Sequence, residues 1–303
     1  MAALDIGGTK TAAALVTPTG EVLHRATTPT PGSRGPDAVL QAAADLVTSL
    51  PTRSAATTPT ALGVGSAGVL DPMTGHVVGA TNVLRDWTGT DLVGELQRRT
   101  GLRTVAINDV HAHGLGEAIH GAGAGHRTVL VMAVGTGIGA SQVIDGIVLR
   151  GARGVAGHAG HQPSPFAAKL PCTCGGRGHL EAIASGPALA REYRRRAATD
   201  VLDLREVASR AATGADRVAA DVIALGGSAV GSCLGGLVNV LDPHLVVVGG
   251  GVANLGGAWW EALVTAFRAE LLPALDGVGI VPATLGDDAA LVGAAHAAWE
   301  LVA

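Results

Sequence analysis

The sequence predicts an α/β fold of two domains, built from one supersecondary unit used twice. Three observations carry this. Strand-like and helix-like segments alternate along the chain. A pattern of strand, Gly/Thr loop, strand, turn and strand opens the chain and begins again near residue 128. The 303 residues exceed the usual span of one domain, about 100–200 residues.

The elements follow in order. Leu4-Asp5 starts a short strand that runs into Gly7-Gly8-Thr9-Lys10. Residues 11–17 and 21–28 form the next two strands, joined by the turn Pro18-Thr19-Gly20. Val39, Leu40, Ala43, Leu46 and Val47 share one side of a helix over 37–50. Residues 52–60 form a polar Ser/Thr/Pro loop before a strand at 61–64 and the loop Gly65-Ser66-Ala67-Gly68. A helix at 91–99, a strand at 103–107 and a helix to about His120 complete the first half. After a glycine-rich link at 121–125 the unit repeats: a strand at 128–133, the loop Gly135-Thr136-Gly137-Ile138-Gly139, and a hairpin about Asp145-Gly146. A Gly/His/Cys-rich stretch follows at 151–178. Helices are expected at 181–197, 203–212 and 215–239. A strand at 245–248 runs into Gly249-Gly250-Gly251, and a last helix starts near Asp288. The expected first domain is 1–118 with the helix 288–303 packed back onto it; the second is 119–287.

Composition narrows the function classes. Hydrophobic residues are 48% and charged residues 15%, enough to bury large cores and too little charge for disorder. The net charge of −4 argues against gripping nucleic acid by bulk charge. Aromatic residues are only 2%, so stacking surfaces are scarce. Glycine is abundant at 45 residues, and lysine occurs only at Lys10 and Lys169. Three cysteines exclude a disulfide framework in a chain this long. The start Met1-Ala2-Ala3-Leu4-Asp5 lacks an export signal, and apolar runs such as 245–248 fall far short of a membrane span. A cytoplasmic chain with no membrane partner is expected.

Five motifs carry chemistry. In Asp5-Ile6-Gly7-Gly8-Thr9-Lys10-Thr11, the glycines allow a tight turn with outward N–H groups. Thr9 and Thr11 add hydroxyls, Lys10 adds charge, and Asp5 is placed to orient Mg2+; an ordinary hairpin turn is the alternative. The loop Gly135-Thr136-Gly137-Ile138-Gly139 is followed by a hairpin rather than a helix, which argues against a dinucleotide fingerprint. Asn108-Asp109 sits where a buried strand meets a helix: a carboxylate there can act as a general base, or Asp109 can simply cap the helix. His161, Cys172, Cys174 and His179 offer two nitrogens and two sulfurs, the set a structural Zn2+ takes; two buried thiols near unrelated histidines are the alternative. Gly249, Gly250 and Gly251 let a nucleotide or a packed helix approach the backbone. Cys233 reads as a core residue.

In this order the motifs resemble the ROK family (repressor, open reading frame, kinase) of the actin-like ATPase, ribonuclease H-like fold. The resemblance covers essentially the whole chain and includes Glu181-Ala182-Ile183-Ala184-Ser185-Gly186. It implies that Asp109 takes the proton from a sugar 6-hydroxyl, which attacks the γ-phosphate of ATP. It implies a phosphate grip by Asp5, Gly7, Gly8, Thr9, Lys10 and Thr11 on one side and Gly135, Thr136, Gly137 and Gly139 on the other, with Mg2+ bridging and 249–251 near the adenosine. Gly68, Asn82, Asn108, His158, His161 and Glu181 are the implied sugar contacts, His161 serving both Zn2+ and sugar, in a cleft between the domains. Two departures stand out. His158 replaces the family's usual glutamate, and His179 replaces a zinc cysteine. The form Gly157-His158-Ala159-Gly160-His161 and the run Ala12–Leu15 resemble bacterial N-acetylmannosamine kinases, with glucokinase the alternative. A sugar-binding regulator is the third reading. Its DNA-binding module would precede the phosphate loop, which here starts at Asp5. A homodimer or homotetramer is implied by the resemblance alone.

Overall fold

The computed structural model describes residues 1–51, 58–80, 83–200 and 203–302. Two sheets share one strand order. The first runs β3-β2-β1-β4-β7, from β1 (Ala2–Ile6), β2 (Lys10–Val16), β3 (Val22–Pro29), β4 (Ala61–Ser66) and β7 (Arg103–Asn108). The second runs β10-β9-β8-β11-β12, from β8 (Thr128–Val134), β9 (Ile138–Ile144), β10 (Ile147–Val148), β11 (Leu245–Gly249) and β12 (Gly279–Pro282). In each the first strand along the chain is third in order, and the last two strands pair parallel beside it. The repeat read from the sequence is thus a repeat of topology. A short ladder of β5 (Val69–Leu70) and β6 (Val77–Gly79) is separate.

Contacts divide the chain into two compact units. Unit 1 comprises Met1–Arg127, Ser141–Gly157 and Thr284–Ala303; unit 2 comprises Thr128–Ala140 and His158–Ala283. The segment Ser141–Gly157, assigned from sequence to the second domain, groups with unit 1. Its Ser141 hydroxyl donates to Val110 O at 2.7 Å, and Ala156 O pairs with the buried His111 ring at 2.8 Å.

The strands of unit 1 bury Leu4, Ile6, Leu62 and Val64 against α1 (Pro36–Thr48) and α2 (Leu92–Thr100), with Trp87 closing the core. On another side α9 (Ala289–Val302) lies so close to β4 that a Cβ on Gly63 would sit 1.7 Å from Ala294 O. The buried Glu117 of α3 (Asp109–His120) accepts the N–H groups of Thr284 at 3.1 Å and Leu285 at 2.7 Å, tying down the chain just before α9.

Unit 2 is centred on α7 (Arg217–Leu241), packed by α8 (Gly257–Glu270) and flanked by α5 (Gly186–Ala197) and α6 (Leu204–Ala212). Contrary to the expectation from apolar runs, α7 is long and apolar enough to cross a membrane. Val222, Val230, Leu234 and Val238 are instead buried in the unit's core with Trp259, Leu263 and Phe267 of α8. The helix expected over 181–197 is two, α4 (Glu181–Ala184) and α5, broken at the extended Ser185. Pro187 explains the break: its ring denies the helix an N–H and clashes with the preceding turn. Both α8 and β12 escaped the sequence reading, although Trp259, Leu263 and Phe267 carry a helical spacing of four. The loop expected at 52–60 lies mostly outside the described residues.

Candidate functional site: two glycine loops and a His/Cys cluster

In unit 1 the turn between β1 and β2 closes with the Gly7 N–H donating to Lys10 O at 3.1 Å. A Cβ on Gly8 would meet Val83 Cγ1 at 2.1 Å, so any larger residue must displace that exposed side chain. Thr30, which carried no signal in the sequence, braces this turn. Its hydroxyl donates to Gly7 O at 2.8 Å, and its N–H donates to Thr9 O at 3.0 Å. Having one hydrogen, that hydroxyl must accept from Thr11 Oγ1 at 2.8 Å. Thr11, expected to face a ligand, is therefore a buried strut. Thr9 and Lys10 are exposed, and Lys10 Nζ stands 3.5 Å from Asp287.

Asp5 lies on β1, opposite Gly65 of β4. Burial, then the charge of Asp109, push its carboxyl up to about 6; Lys10 and Arg25 oppose, and Asp287 adds to the rise. Three carboxylates and two cations thus share one neighbourhood. Like charges gathered around a partly buried carboxylate form the hard oxygen donor set that suits Mg2+.

Asn108, not Asp109, caps α3. Its Oδ1 accepts from Val110 N at 3.0 Å and His111 N at 3.3 Å. Its Nδ2 donates to Gly68 O at 2.9 Å and to Asp109 Oδ1 at 2.8 Å. The Val110 N–H also reaches Asp109 Oδ1 at 2.9 Å. The capping alternative for Asp109 thus falls away: Asn108 does the capping and orients the carboxylate. Gly68 adopts φ +101, and a Cβ there would lie 2.8 Å from Gly79 O. The fully buried Trp87 fixes the same loop, donating from its indole nitrogen to Ala67 O at 3.2 Å. Asn82 lies outside the described residues.

In unit 2 the glycine loop expected at 135–139 joins β8 to β9 over residues 135–137, with Ile138 and Gly139 already in β9. Gly135 N–H donates to Gly137 O at 2.9 Å, and Gly186 N–H donates to Gly135 O at 2.8 Å. Nothing lies within 4 Å of a Cβ built on Gly135, and Thr136 is exposed. Among the glycines after β11, Gly250 packs closely, but against the backbone of strand β8 rather than against a helix. It has φ +92, and a Cβ would sit 2.4 Å from Val134 O. Gly251 is exposed with open space about it, while Gly249 is buried within β11.

The ligand atoms of His161, Cys172, Cys174 and His179 all lie within 4.8 Å of one another. His161 Nδ1 is 3.6 Å from Cys172 Sγ, and His179 Nδ1 is 3.2 Å from Cys174 Sγ. A tetrahedral Zn2+ with ordinary bond lengths sets its sulfur and nitrogen ligands about 3.6 Å apart, so the donor set and spacing fit that ion. Cys172 N–H donates to Gly176 O at 2.9 Å, folding the loop back on itself. The His158 ring stacks on that of His161 at 6.1 Å, so the residue that departs from the family pattern stands beside the cluster. Glu181 was expected against a sugar. Its Oε2 accepts the Ile138 N–H at 3.0 Å and its Oε1 accepts the Thr173 hydroxyl at 2.6 Å. Thr30, Glu117, Thr173 and Asp287 all escaped the sequence reading. Each acts through a partner distant in sequence, except Thr173, which lies between two ligand cysteines.

The chain is 34% identical over 293 residues to the N-acetylmannosamine kinase of Citrobacter koseri, covering 97% of this chain and 96% of that one. It is 31% identical over 306 residues to the glucokinase of Halalkalibacterium halodurans, covering 96% and 92%. The crystal structure of a ROK family glucokinase from Streptomyces griseus in complex with glucose and AMPPNP superposes with a TM-score of 0.84 at 32% identity, covering 99% of each chain. The fold is that of the actin-like ATPases. The model of the ROK family matches residues 1–300, so the chain belongs to the ROK family and is a sugar kinase of it.

Proposed function

We propose that the protein transfers the γ-phosphoryl group of ATP to the 6-hydroxyl of N-acetyl-D-mannosamine. Asp109 carries the chemistry. Its carboxylate takes the hydroxyl proton while the sugar oxygen bonds to the γ-phosphorus and the bond to ADP breaks. Asn108 supports this role by holding Asp109 Oδ1 at 2.8 Å, so the base enters the reaction already oriented. Gly8, Thr9 and Lys10 on unit 1, and Thr136, Gly137 and Gly139 on unit 2, are suited to give backbone N–H groups, a hydroxyl or a cation to phosphates, while Gly7 and Gly135, whose N–H groups donate to Lys10 O and Gly137 O, shape the two turns that present them. Thr11 takes part only through Thr30. Gly251, open on its surface, is the member of its triplet suited to the adenosine. Asp5 is the residue suited to hold Mg2+, which supplies charge neutralisation on the phosphates. His161, Cys172, Cys174 and His179 would hold one Zn2+, which supplies rigidity to the loop that carries them.

The substrate follows from His158, supported by Gly68, Asn82, Asn108, His161 and Glu181 as further sugar contacts. A carboxylate at 158 could only accept hydrogen bonds. A neutral imidazole offers one donor and one acceptor, and can give its N–H to the carbonyl of an acetamido group. Identity to the Citrobacter koseri N-acetylmannosamine kinase agrees. Glucose is the second reading, favoured by identity to the Halalkalibacterium halodurans glucokinase. The test is His158→Glu. The ratio of kcat/KM for N-acetylmannosamine over glucose should fall at least about tenfold, one lost hydrogen bond in a desolvated site. An unchanged ratio removes His158 from specificity.

A further inference from the structure

We propose that Thr173 is a positioning residue that couples the His/Cys cluster to the glycine loop at 135–139 through Glu181. The inference rests on the kinase reading for its kinetic consequence, but the coupling itself is a property of unit 2. Thr173 is the one residue between Cys172 and Cys174, so an ion held by both sulfurs fixes the backbone on either side of it. Its hydroxyl reaches Glu181 Oε1 at 2.6 Å. The other oxygen of that carboxylate accepts the Ile138 N–H at 3.0 Å. A Cβ on Gly137 would lie 2.9 Å from the same oxygen, so loop and carboxylate are in close contact.

Each carboxylate oxygen therefore has a separate task, and the two tasks constrain one another. Thr173 fixes the rotation of the Glu181 side chain, and the fixed carboxylate sets where the Ile138 N–H points. Glu181 is itself anchored, because it opens α4 two residues after the ligand His179. Ile138 begins β9, so its amide marks the point where the loop ends and the sheet resumes. The cluster thus reaches past its own loop to residues that face the nucleotide phosphates. In this chain a metal bound for structure sets the shape of the ATP side as well as the sugar side.

The test compares wild type, Thr173→Val and Thr173→Ser with zinc bound. Valine keeps the shape and removes the hydroxyl; serine keeps the hydroxyl. Thr173→Val should retain its zinc by elemental analysis. It should speed hydrogen exchange in the segment 135–141 about threefold to tenfold, and raise KM for ATP by a similar factor with kcat changed less. Thr173→Ser should restore both. Stripping zinc from wild type with a chelator should speed exchange in the same segment. Exchange and KM unchanged in Thr173→Val overturns the coupling, as does loss of zinc from that variant, since Thr173 would then act on the cluster instead. Should wild type release no ADP with any hexose, the kinase reading fails while the exchange comparison still decides the coupling.

Discussion

The glycine turn at 7–10 and the glycine loop at 135–139 hold equivalent places in two sheets of one strand order, yet they are held in opposite ways. The first is braced by neutral hydroxyls, Thr30 on Gly7 O and Thr11 on Thr30, and by steric closure of Gly8 on Val83. Charged groups crowd its surroundings: Asp5, Asp109 and Asp287 with Lys10 and Arg25. The second is braced by the carboxylate of Glu181 and by the Gly186 N–H on Gly135 O, and has open space at Gly135. Repetition of topology has fixed where a loop occurs, and the side chains brought to each loop have divided the work. The unit 1 loop lies among carboxylates and cations. The unit 2 loop rests on a carboxylate and leaves Thr136 and Gly137 exposed.

Three substitutions sharpen or break this contrast. The largest effect is expected from Asp109→Asn, which keeps the shape and removes the base. Turnover should fall about 10²–10⁴-fold, while sugar binding, followed by calorimetry, stays within about threefold. Retained turnover would assign the base elsewhere and dissolve the division of labour. Next, Gly8→Ala should lower stability by about 1 kcal/mol, because its Cβ must displace the exposed Val83 side chain. Gly135→Ala should cost no more than about 0.5 kcal/mol, since its site is open. Denaturant melts of the two variants measure the difference, and equal losses would mean both loops are sterically closed.

The last effect concerns pH. Burial, then the charge of Asp109, raise the Asp5 carboxyl in the folded chain from its ordinary value of 3.8 to about 6. The folded state therefore holds that proton more tightly than the unfolded state does. Its contribution to stability is complete below pH 3.8 and is lost as pH rises through about 6. Asp5→Asn should accordingly gain stability over wild type at pH 7.5, by no more than about 2 kcal/mol, and gain nothing at pH 3.5. Melting both proteins at the two pH values checks the sign. A loss at pH 7.5 would show that Asp5 is held by its cations rather than strained by its neighbouring carboxylates. Any Mg2+ held by Asp5 should also bind more weakly as pH falls through about 6.

Much of this division was legible beforehand. The strand and loop order was readable because alternating apolar runs and Gly/Thr clusters are local signals. The four cluster residues were readable because their side chains have few other common uses at that spacing. The bracing was not. Thr30 and Glu117 are ordinary residues whose partners lie 23 and 167 positions away, and no local pattern marks them. Asp109 as a cap was a fair local reading. It failed because Asn108, one residue earlier, reaches the same helix N–H groups and leaves Asp109 at the first helical position. The break at Ser185 was legible in Pro187 but outweighed by the helical composition around it. In the glycine triplet, sequence offered a nucleotide or a packed helix; Gly250 instead packs on the β8 backbone, and Gly251 has open space about it. Cys233 sits partly buried against the unit 2 core, and burial pushes its thiol up to about 11. That fits a packing role rather than a reactive one.

The most direct test of the account is the product formed from a mixture. The purified protein is given ATP, Mg2+ and equimolar N-acetylmannosamine and glucose, and the sugar phosphates are resolved by phosphorus NMR. N-acetylmannosamine 6-phosphate as the main product is the predicted result. A mixture dominated by glucose 6-phosphate, or one with no sugar phosphate, would contradict it.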